Sequence, residues 1–299
     1  MLNKSKIFSV IVSYNSTKAE LGVNLNELLK QTDFLVICNN SKDDLIFDHP
    51  RIKVLNFGSN LGIAKAQNIG MKWAYENGAE YVLQMDQDSL PDPKMVSLLY
   101  ESYLALVENK FNVGLIGPIT YDRYTKKIHK PIITTTSSQK GKSVSNFDGI
   151  VLLDAIISSG CLIPKKTFQK MGGMLDELFI DGVDFEYCWR LKSNGYVIVR
   201  NNNARLAHRF GNGRKKLIYG IDIAICSPKR HYYQFRNFIY LCHLAYVPAK
   251  WKVRGIFKIL FKLFCYPILL GNGKERIIYM LLGLKDGIKK KMYSINTKL

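Results

Sequence analysis

The sequence predicts an α/β fold: a doubly wound, mainly parallel sheet followed by a helical, basic C-terminal extension. Three observations predict it. Apolar, β-branched runs alternate with helix-period segments through the first 120 residues, the βαβ alternation of such a sheet. Polar residues gather where those runs end, and from Ser227 the texture turns aromatic and basic. At 299 residues and 47% hydrophobic, the chain can bury a full core.

Residues 6–14 (KIFSVIVSY) read as the first strand. Their apolar run, 7–12, is too short for a signal-peptide core, and no small-residue cleavage site follows. A helical period covers 17–31; 34–40 (FLVICNN) and 51–57 (RIKVLNF) are strands, 61–77 is a helix, and 80–86 (EYVLQMD) is the fourth strand. Residues 93–109 read as a helix and 113–120 (VGLIGPIT) as a strand. The polar stretch 121–146, rich in Lys, Thr and Ser, is expected to be irregular. Strand, turn and strand return over 149–166, then a loop and a helix closed by Gly195 over 179–195. A short strand at 196–201 and a turn bearing His208 over 204–214 complete a domain expected to span 1–226, with 227–299 as the helical region.

Doubly wound sheets bind ligands beyond the carboxyl ends of their strands. VSYNS, CNNSKDD, FGSNLG and MDQDS follow the first four strands. Each alone is a good turn sequence; together they read as one nucleotide-sized site. Within the last, Asp86 and Asp88 stand two apart, so in extended chain their carboxylates project to the same side. Converging carboxylates repel unless a cation or a set of donors lies between them. A solvated strand end, with Asp92 capping the helix that starts near Pro93, stays open at this point.

The six cysteines (Cys38, Cys161, Cys188, Cys226, Cys242, Cys265) have no zinc-like or disulfide-framework spacing, which fits a reducing cytoplasm. Of the net charge of +19, the last fifty residues hold twelve Lys or Arg against Glu275 and Asp286, and such a tail seeks an anionic surface. Lys250, Arg254, Lys258 and Lys262 recur every fourth residue, with Val253, Ile256, Phe257, Leu260, Phe261 and Phe264 available for another face. The longest uncharged run there, 263–270, contains Pro267 and is too short to cross a bilayer. This helix is expected to lie on a membrane or to pack on its own domain.

Taken in order, the motifs of residues 7–240 resemble the GT-A type glycosyltransferase family 2, and within it the bacterial rhamnosyltransferases. IVSYN and VICNNS are similar to that family's first- and second-strand nucleotide motifs, NLGIAKAQNIG to its Asn-Gly helix start, and MDQDS to its D-x-D. SSGCLIP resembles the wall beside the donor sugar, VDFEYCWR the helix carrying the base, and HRFGNG the last metal-side turn. The resemblance implies an inverting, metal-dependent transferase moving L-rhamnose from dTDP-L-rhamnose to a lipid-linked precursor of a surface polysaccharide. A galactofuranosyl or hexosyl donor on UDP stays open. The implied donor-binding residues are Val12, Ser13, Tyr14, Asn15, Asn39, Asn40, Asn60, Lys65, Asp86, Gln87, Asp88, Ser159 and Gly160. Asp88 and His208 would hold Mn²⁺ or Mg²⁺, Asp184 would be the base, and Trp189 and Arg190 would face the acceptor. Two positions depart from the family: Asn39 stands where Asp is usual, and Val183 replaces the first acid of a pair, leaving Asp184 as the carboxylate in register.

The chemistry agrees. A cation offsets the charge of a departing diphosphate, oxygen ligands with one imidazole suit Mn²⁺, and an attacking hydroxyl needs a base. A phosphohydrolase carries its D-x-D after the first strand, not the fourth. A nucleic-acid binder would explain the basic tail but not the polar strand ends. The expected location is therefore the cytoplasm, peripheral on the inner membrane face, with nucleic acid not expected as a partner; an oligomer formed through the C-terminal region stays open.

Overall fold

The first strand is buried on both faces, and the rest of the sheet follows from it. The computed structural model describes residues 6–128, 138–139, 142–208, 214–216, 222–292 and 295. In β1 (Ile7–Ser13) the side chains of Ile7 and Ile11 face one side, Phe8, Val10 and Val12 the other, and all are buried. After α1 (Lys18–Gln31), β2 (Phe34–Asn39) and β3 (Ile52–Asn56) add in parallel to one side of β1. After α2 (Ile63–Glu76), β4 (Tyr81–Asp86) adds in parallel to the other side. Near-continuous apolar strands are the signature of a sheet covered on both faces.

α1 begins with a capping box, in which Thr17 and Glu20 satisfy each other's backbone N–H groups. Its Leu21, Leu25 and Leu28 join the cluster of Ile7, Ile11, Leu35, Ile37 and Leu83. α2 lies against β1, β2 and β4. Gly70 permits its close approach, since a Cβ there would sit 2.5 Å from both Val10 and Cys38. β5 (Leu90–Pro91) and α3 (Met95–Glu108) follow. This helix starts at Lys94 in the left-handed region with no side-chain cap, so Asp92 is not its N-cap; the Asp92 carboxylate instead accepts the Tyr121 hydroxyl at 2.7 Å.

β6 (Val113–Asp122) runs two residues into the stretch expected to be irregular, and β7 (Ser138–Gln139) pairs with β8 (Lys142–Ser143) further along it. Its residues 129–137 and 140–141 lie outside the described ones. β9 (Ile150–Leu153) and β10 (Leu162–Pro164) lead to α4 (Lys165–Met171), α5 (Val183–Ser193) and β11 (Val197–His208). The nine-stranded sheet has the order β3-β2-β1-β4-β10-β6-β11-β5, with β9 also on β11. β10 is antiparallel to both its neighbours, which makes the sheet mainly parallel, not wholly so.

β11 corrects the expected short strand and turn. Its pairing with β6 shifts between Asn201 and Arg205 and then resumes through His208. Within that bulge, buried Asn201 accepts from the N–H groups of Asn203 and Ala204 and donates to Ser102 Oγ. Three consecutive asparagines look like a turn, but here the first caps a bulge, and the strand continues.

The chain forms two compact units, Met1–Asp176 with Tyr187–Arg209 and Glu177–Glu186 with Phe210–Leu299. The second therefore takes in a segment before α5 that the boundary expected at 226 leaves with the sheet. It contains β12 (Arg214–Lys216) paired with β13 (Asp222–Ala224), and helices α6 (Pro228–His243), α7 (Ala249–Leu269) and α8 (Gly273–Ile288). Ser227 caps α6 and Pro228 opens it. From α6, Asn237 donates to the carbonyls of Leu178, Ile180 and Asp181, and Arg236 to those of Glu177 and Leu178. This binds the early segment to the helices.

α7 buries Tyr266 with Phe235, Leu270 and Met280 and leaves Val253, Phe257, Phe264 and Ile268 exposed at 54, 69, 67 and 84%. Lys262 departs from the expected cationic face: it is half-buried, donating to Gln234 at 2.6 Å. Each four-residue step overshoots a full turn by about 40°, so three steps carry Lys262 round toward the packed side. Among the described residues, no helix is long and apolar enough to cross a membrane. α8 meets α6 through glycine: a Cβ on Gly283 would lie 2.4 Å from the Tyr232 carbonyl oxygen. Gly283→Ala is expected to destabilise the protein by about 1–3 kcal/mol through overpacking, seen as a lower melting temperature, whereas Gly271→Ala, with open space around it, serves as the comparison. Equal melting temperatures would refute the close approach.

Candidate active site

Strand order reverses at β1, where β2 lies on one side and β4 on the other. Val12 stands opposite Asp86. In open α/β sheets the crevice outside the carboxyl ends at such a reversal is the ligand site. Asp86 closes β4 and Asp88 follows in the exposed turn. Ligand atoms of Asp86, Asp88 and His208 all lie within 4.8 Å of one another. Burial, and then the charge of Asp88, pushes Asp86 up to about 7, against a lowering hydrogen bond with Ser159. Two carboxylates and one imidazole are a donor set suited to Mn²⁺ or Mg²⁺. A cation with ligands at about 2.1 Å brings pairs of them to about 3–4 Å, so the three side chains would fit such an ion after closing by at most about 2 Å.

Three elements deliver these groups, and a chain of buried hydroxyls joins them. Ser159 Oγ, in the β9–β10 connection, accepts the Asp86 N–H at 3.1 Å and donates to Ser89 Oγ at 2.9 Å. Ser89 Oγ lies 2.6 Å from His208 Nδ1 at the end of β11. The bonded ring nitrogen fixes the imidazole's orientation. On the α1 side, Asn24 donates to the carbonyls of Asp86 and Gln87 at 3.2 and 3.4 Å. Gln87 turns back and accepts the Tyr14 N–H at 2.7 Å, tying the D-x-D turn to the end of β1. Sequence reasoning missed Asn24 and Ser89. Asn24 sits on the stripe of Leu21, Leu25 and Leu28, and a buried polar residue on an apolar stripe was the available signal.

The other strand ends also converge. Ser13 accepts the Asn40 N–H through its carbonyl at 2.8 Å, while its buried hydroxyl has no partner among the described residues. Asn15, at φ 52°, donates its N–H to Ser41 Oγ. Asn39 is buried with its amide given to Asn56 and to the Asp43 carbonyl. Asn40 bonds Asn60 and, through its Oδ1, the N–H of Leu61. Gly160, at φ +83°, allows the Ser158–Cys161 turn to pass close to Pro118, which an added Cβ would approach to 2.6 Å. Lys65 lies exposed in the first turn of α2.

Two of the remaining expected residues are held by contacts within the sheet unit. Trp189 is buried, and Arg190 donates to the carbonyls of Met171 and Gly173, so both are engaged in packing. Asp184 lies half-buried in the first turn of α5, within the helical unit. Two residues later, fully buried Glu186 accepts the Tyr246 hydroxyl at 2.6 Å. The rest of the turn after His208, residues 209–213, lies outside the described ones.

Metal binding and pH follow from Asp86. Without a cation its folded-state carboxyl titrates near 7, above the ordinary 3.8. The folded state thus holds an extra proton between those values. The stability this gives is complete below about pH 4 and is lost as pH rises through 7. A cation must displace that proton, so Mn²⁺ affinity measured by calorimetry is expected to fall about tenfold per unit below pH 7 and to level off above it. Asp88→Ala is expected to abolish binding while leaving the metal-free melting temperature nearly unchanged. An affinity that is flat across this range would exclude Asp86 from the site.

Comparison with known proteins agrees with this geometry. The sequence model of glycosyl transferase family 2 matches residues 9–156. The dTDP-rhamnosyl transferase RfbF of Shigella flexneri is 32% identical over 294 residues, covering 95% of this chain and 96% of its own. S. aureus TarS in complex with UDP-GlcNAc matches with a TM-score of 0.56 at 14% identity, over 95% of this chain and 81% of that one. GalNAc-T7 with UDP, GalNAc and Mn²⁺ matches at 0.55 and 14%, over 90% of this chain but only 58% of that one. These two structures share the fold, which is of GT-A type. With a relative at this identity along nearly its whole length, and the family match lying over the strands that carry the D-x-D, the chain belongs to glycosyl transferase family 2 and is a glycosyltransferase.

Proposed function

We propose that the protein is an inverting rhamnosyltransferase that takes L-rhamnose from dTDP-L-rhamnose and adds it to a lipid-linked saccharide at an anionic membrane surface. The observation that carries this is the convergence of Asp86, Asp88 and His208 at the strand reversal, in a chain similar along 95% of its length to a dTDP-rhamnosyl transferase. Asp88 and His208, with Asp86 beside them, would hold Mn²⁺ or Mg²⁺, which supplies positive charge against that gathering on the departing diphosphate. The ends of β1 and β2 orient the nucleotide. Asp184 takes the proton of the acceptor hydroxyl as that oxygen attacks the anomeric carbon. Of the two acids in the first turn of α5, Asp184 is only half-buried whereas Glu186 is buried, which supports this choice. The exposed apolar residues of α7, beside Lys250, Arg254 and Lys258, support docking on lipid.

A screen of nucleotide-sugars for nucleotide release is expected to favour dTDP-L-rhamnose, and a preference for UDP-hexoses would overturn that donor. Asp184→Asn is expected to slow transfer by about a hundredfold or more while donor affinity changes little. If donor binding collapsed instead, Asp184 would belong to donor recognition. Replacing Phe257 and Phe264 together by Glu is expected to release the protein from anionic vesicles and to spare transfer to a soluble acceptor; unchanged vesicle binding would refute the membrane face.

A further inference from the structure

The helical unit gathers more positive charge than it neutralises. Arg230 and Gln234 stand one turn apart on α6, and Lys258 and Lys262 one turn apart on α7. The Lys262 ammonium donates to Gln234 Oε1 at 2.6 Å. Its amine is lowered by burial, with Lys258 and Arg230 adding to that effect and Asp181 opposing it. Arg276 of α8, almost fully buried, bonds the Gly271 and Cys226 carbonyls and His231 Nε2, all neutral acceptors. His231 is kept neutral to accept that bond, its imidazole pushed down to about 4 by burial and then by Lys262 and Arg276. Among the described residues, Asp181 is the single carboxylate in ion-pair contact with these four cations, and it is committed to Arg230 at 2.8 Å. Arg230 and Lys258 are exposed, and Gln234 and Lys262 are partly so, which leaves the cluster open to a ligand.

Cations drawn together with one carboxylate among them, and that one committed to Arg230, repel one another most where they are least solvated, at part-buried Lys262, and a multiply charged oxyanion would relieve them with charge-assisted hydrogen bonds. The source of that anion is indicated by the helix itself. Phe257, Phe261 and Phe264 are exposed among the same turns of α7 as Lys258 and Lys262, so the cations and a lipid-facing apolar surface share one element. We infer that Arg230, Lys258 and Lys262 form a site for the phosphate or diphosphate group of a membrane lipid. The site rests on the membrane-docking reading of α7. It goes further in requiring a defined phosphate contact in place of general attraction to negative charge, and a lipid-linked acceptor carries such a group.

The test is vesicle binding by the full-length protein, with phosphatidylcholine vesicles containing either phosphatidate, whose phosphomonoester is exposed, or phosphatidylserine, at matched surface charge. The native protein is expected to prefer phosphatidate by at least about fivefold. Replacing Lys258 and Lys262 together by Gln should erase the preference. Lys262→Arg should keep it, and replacing exposed Lys250 and Lys274 by Gln, an equal loss of charge, should weaken binding to both lipids without erasing it. Absence of any preference in the native protein, with vesicle binding intact, would overturn the phosphate site while leaving membrane docking in place. No binding to either vesicle, combined with a rise in melting temperature in soluble pyrophosphate that the Lys258 and Lys262 replacements abolish, would overturn the lipid as its occupant.

Discussion

Repulsion between Asp86 and Asp88 is the constraint on which the sheet unit turns. Two carboxylates brought to one spot at the end of a buried strand are unstable on their own. Among the described residues, a hydroxyl and two amide side chains hold the turn that carries them. Ser159 acts on Asp86 directly, and Asn24 and Gln87 hold the turn's backbone from α1 and β1. The carboxylates are thereby positioned, with His208 Nδ1 3.9 Å from Asp86, as a donor set that suits a divalent ion.

His208 reaches this pair through an irregularity. The bulge in β11 inserts residues without partners on β6 and then resumes the ladder, so the strand ends beside Ser89 instead of running past it. Asn201 makes the bulge stable by taking N–H groups that the ladder no longer pairs. Bulges re-aim side chains near active sites, and here the re-aimed side chain is the third member of the candidate metal set.

In the helical unit the segment before Asp184 is held in a strained form. Phe179 and Asp181 both have positive φ, at 62° and 65°, a conformation that costs about 1–3 kcal/mol per residue. Asn237 collects three carbonyls of that segment, and Phe179 stacks on Tyr233 with ring centres 4.7 Å apart. Asn237 and Arg236, two of the buried polar residues of α6, therefore hold the shape of the chain leading into α5.

The alternation of apolar runs and helical periods already contained the sheet, because burial on both faces demands near-continuous apolar strands. The nearness of Asp86 and Asp88 was legible from their spacing, although Asp88 lies in the turn after β4 and not in the strand, so the turn and not the two-residue period of a strand brings its carboxylate round. The order of strands put those ends in one crevice, and strand order is a long-range property that no local pattern carries. That Asn201–Asn203 would bulge instead of turn, that Asn24 would reach the carbonyls of the D-x-D turn, that Lys262 would bond Gln234, and that Trp189 and Arg190 would be engaged in packing all depend on partners far away in sequence. Local patterns record which residues tend to be strand, helix or turn. Which donor meets which acceptor across the fold is set by packing, where a buried polar group must find a partner or lose stability.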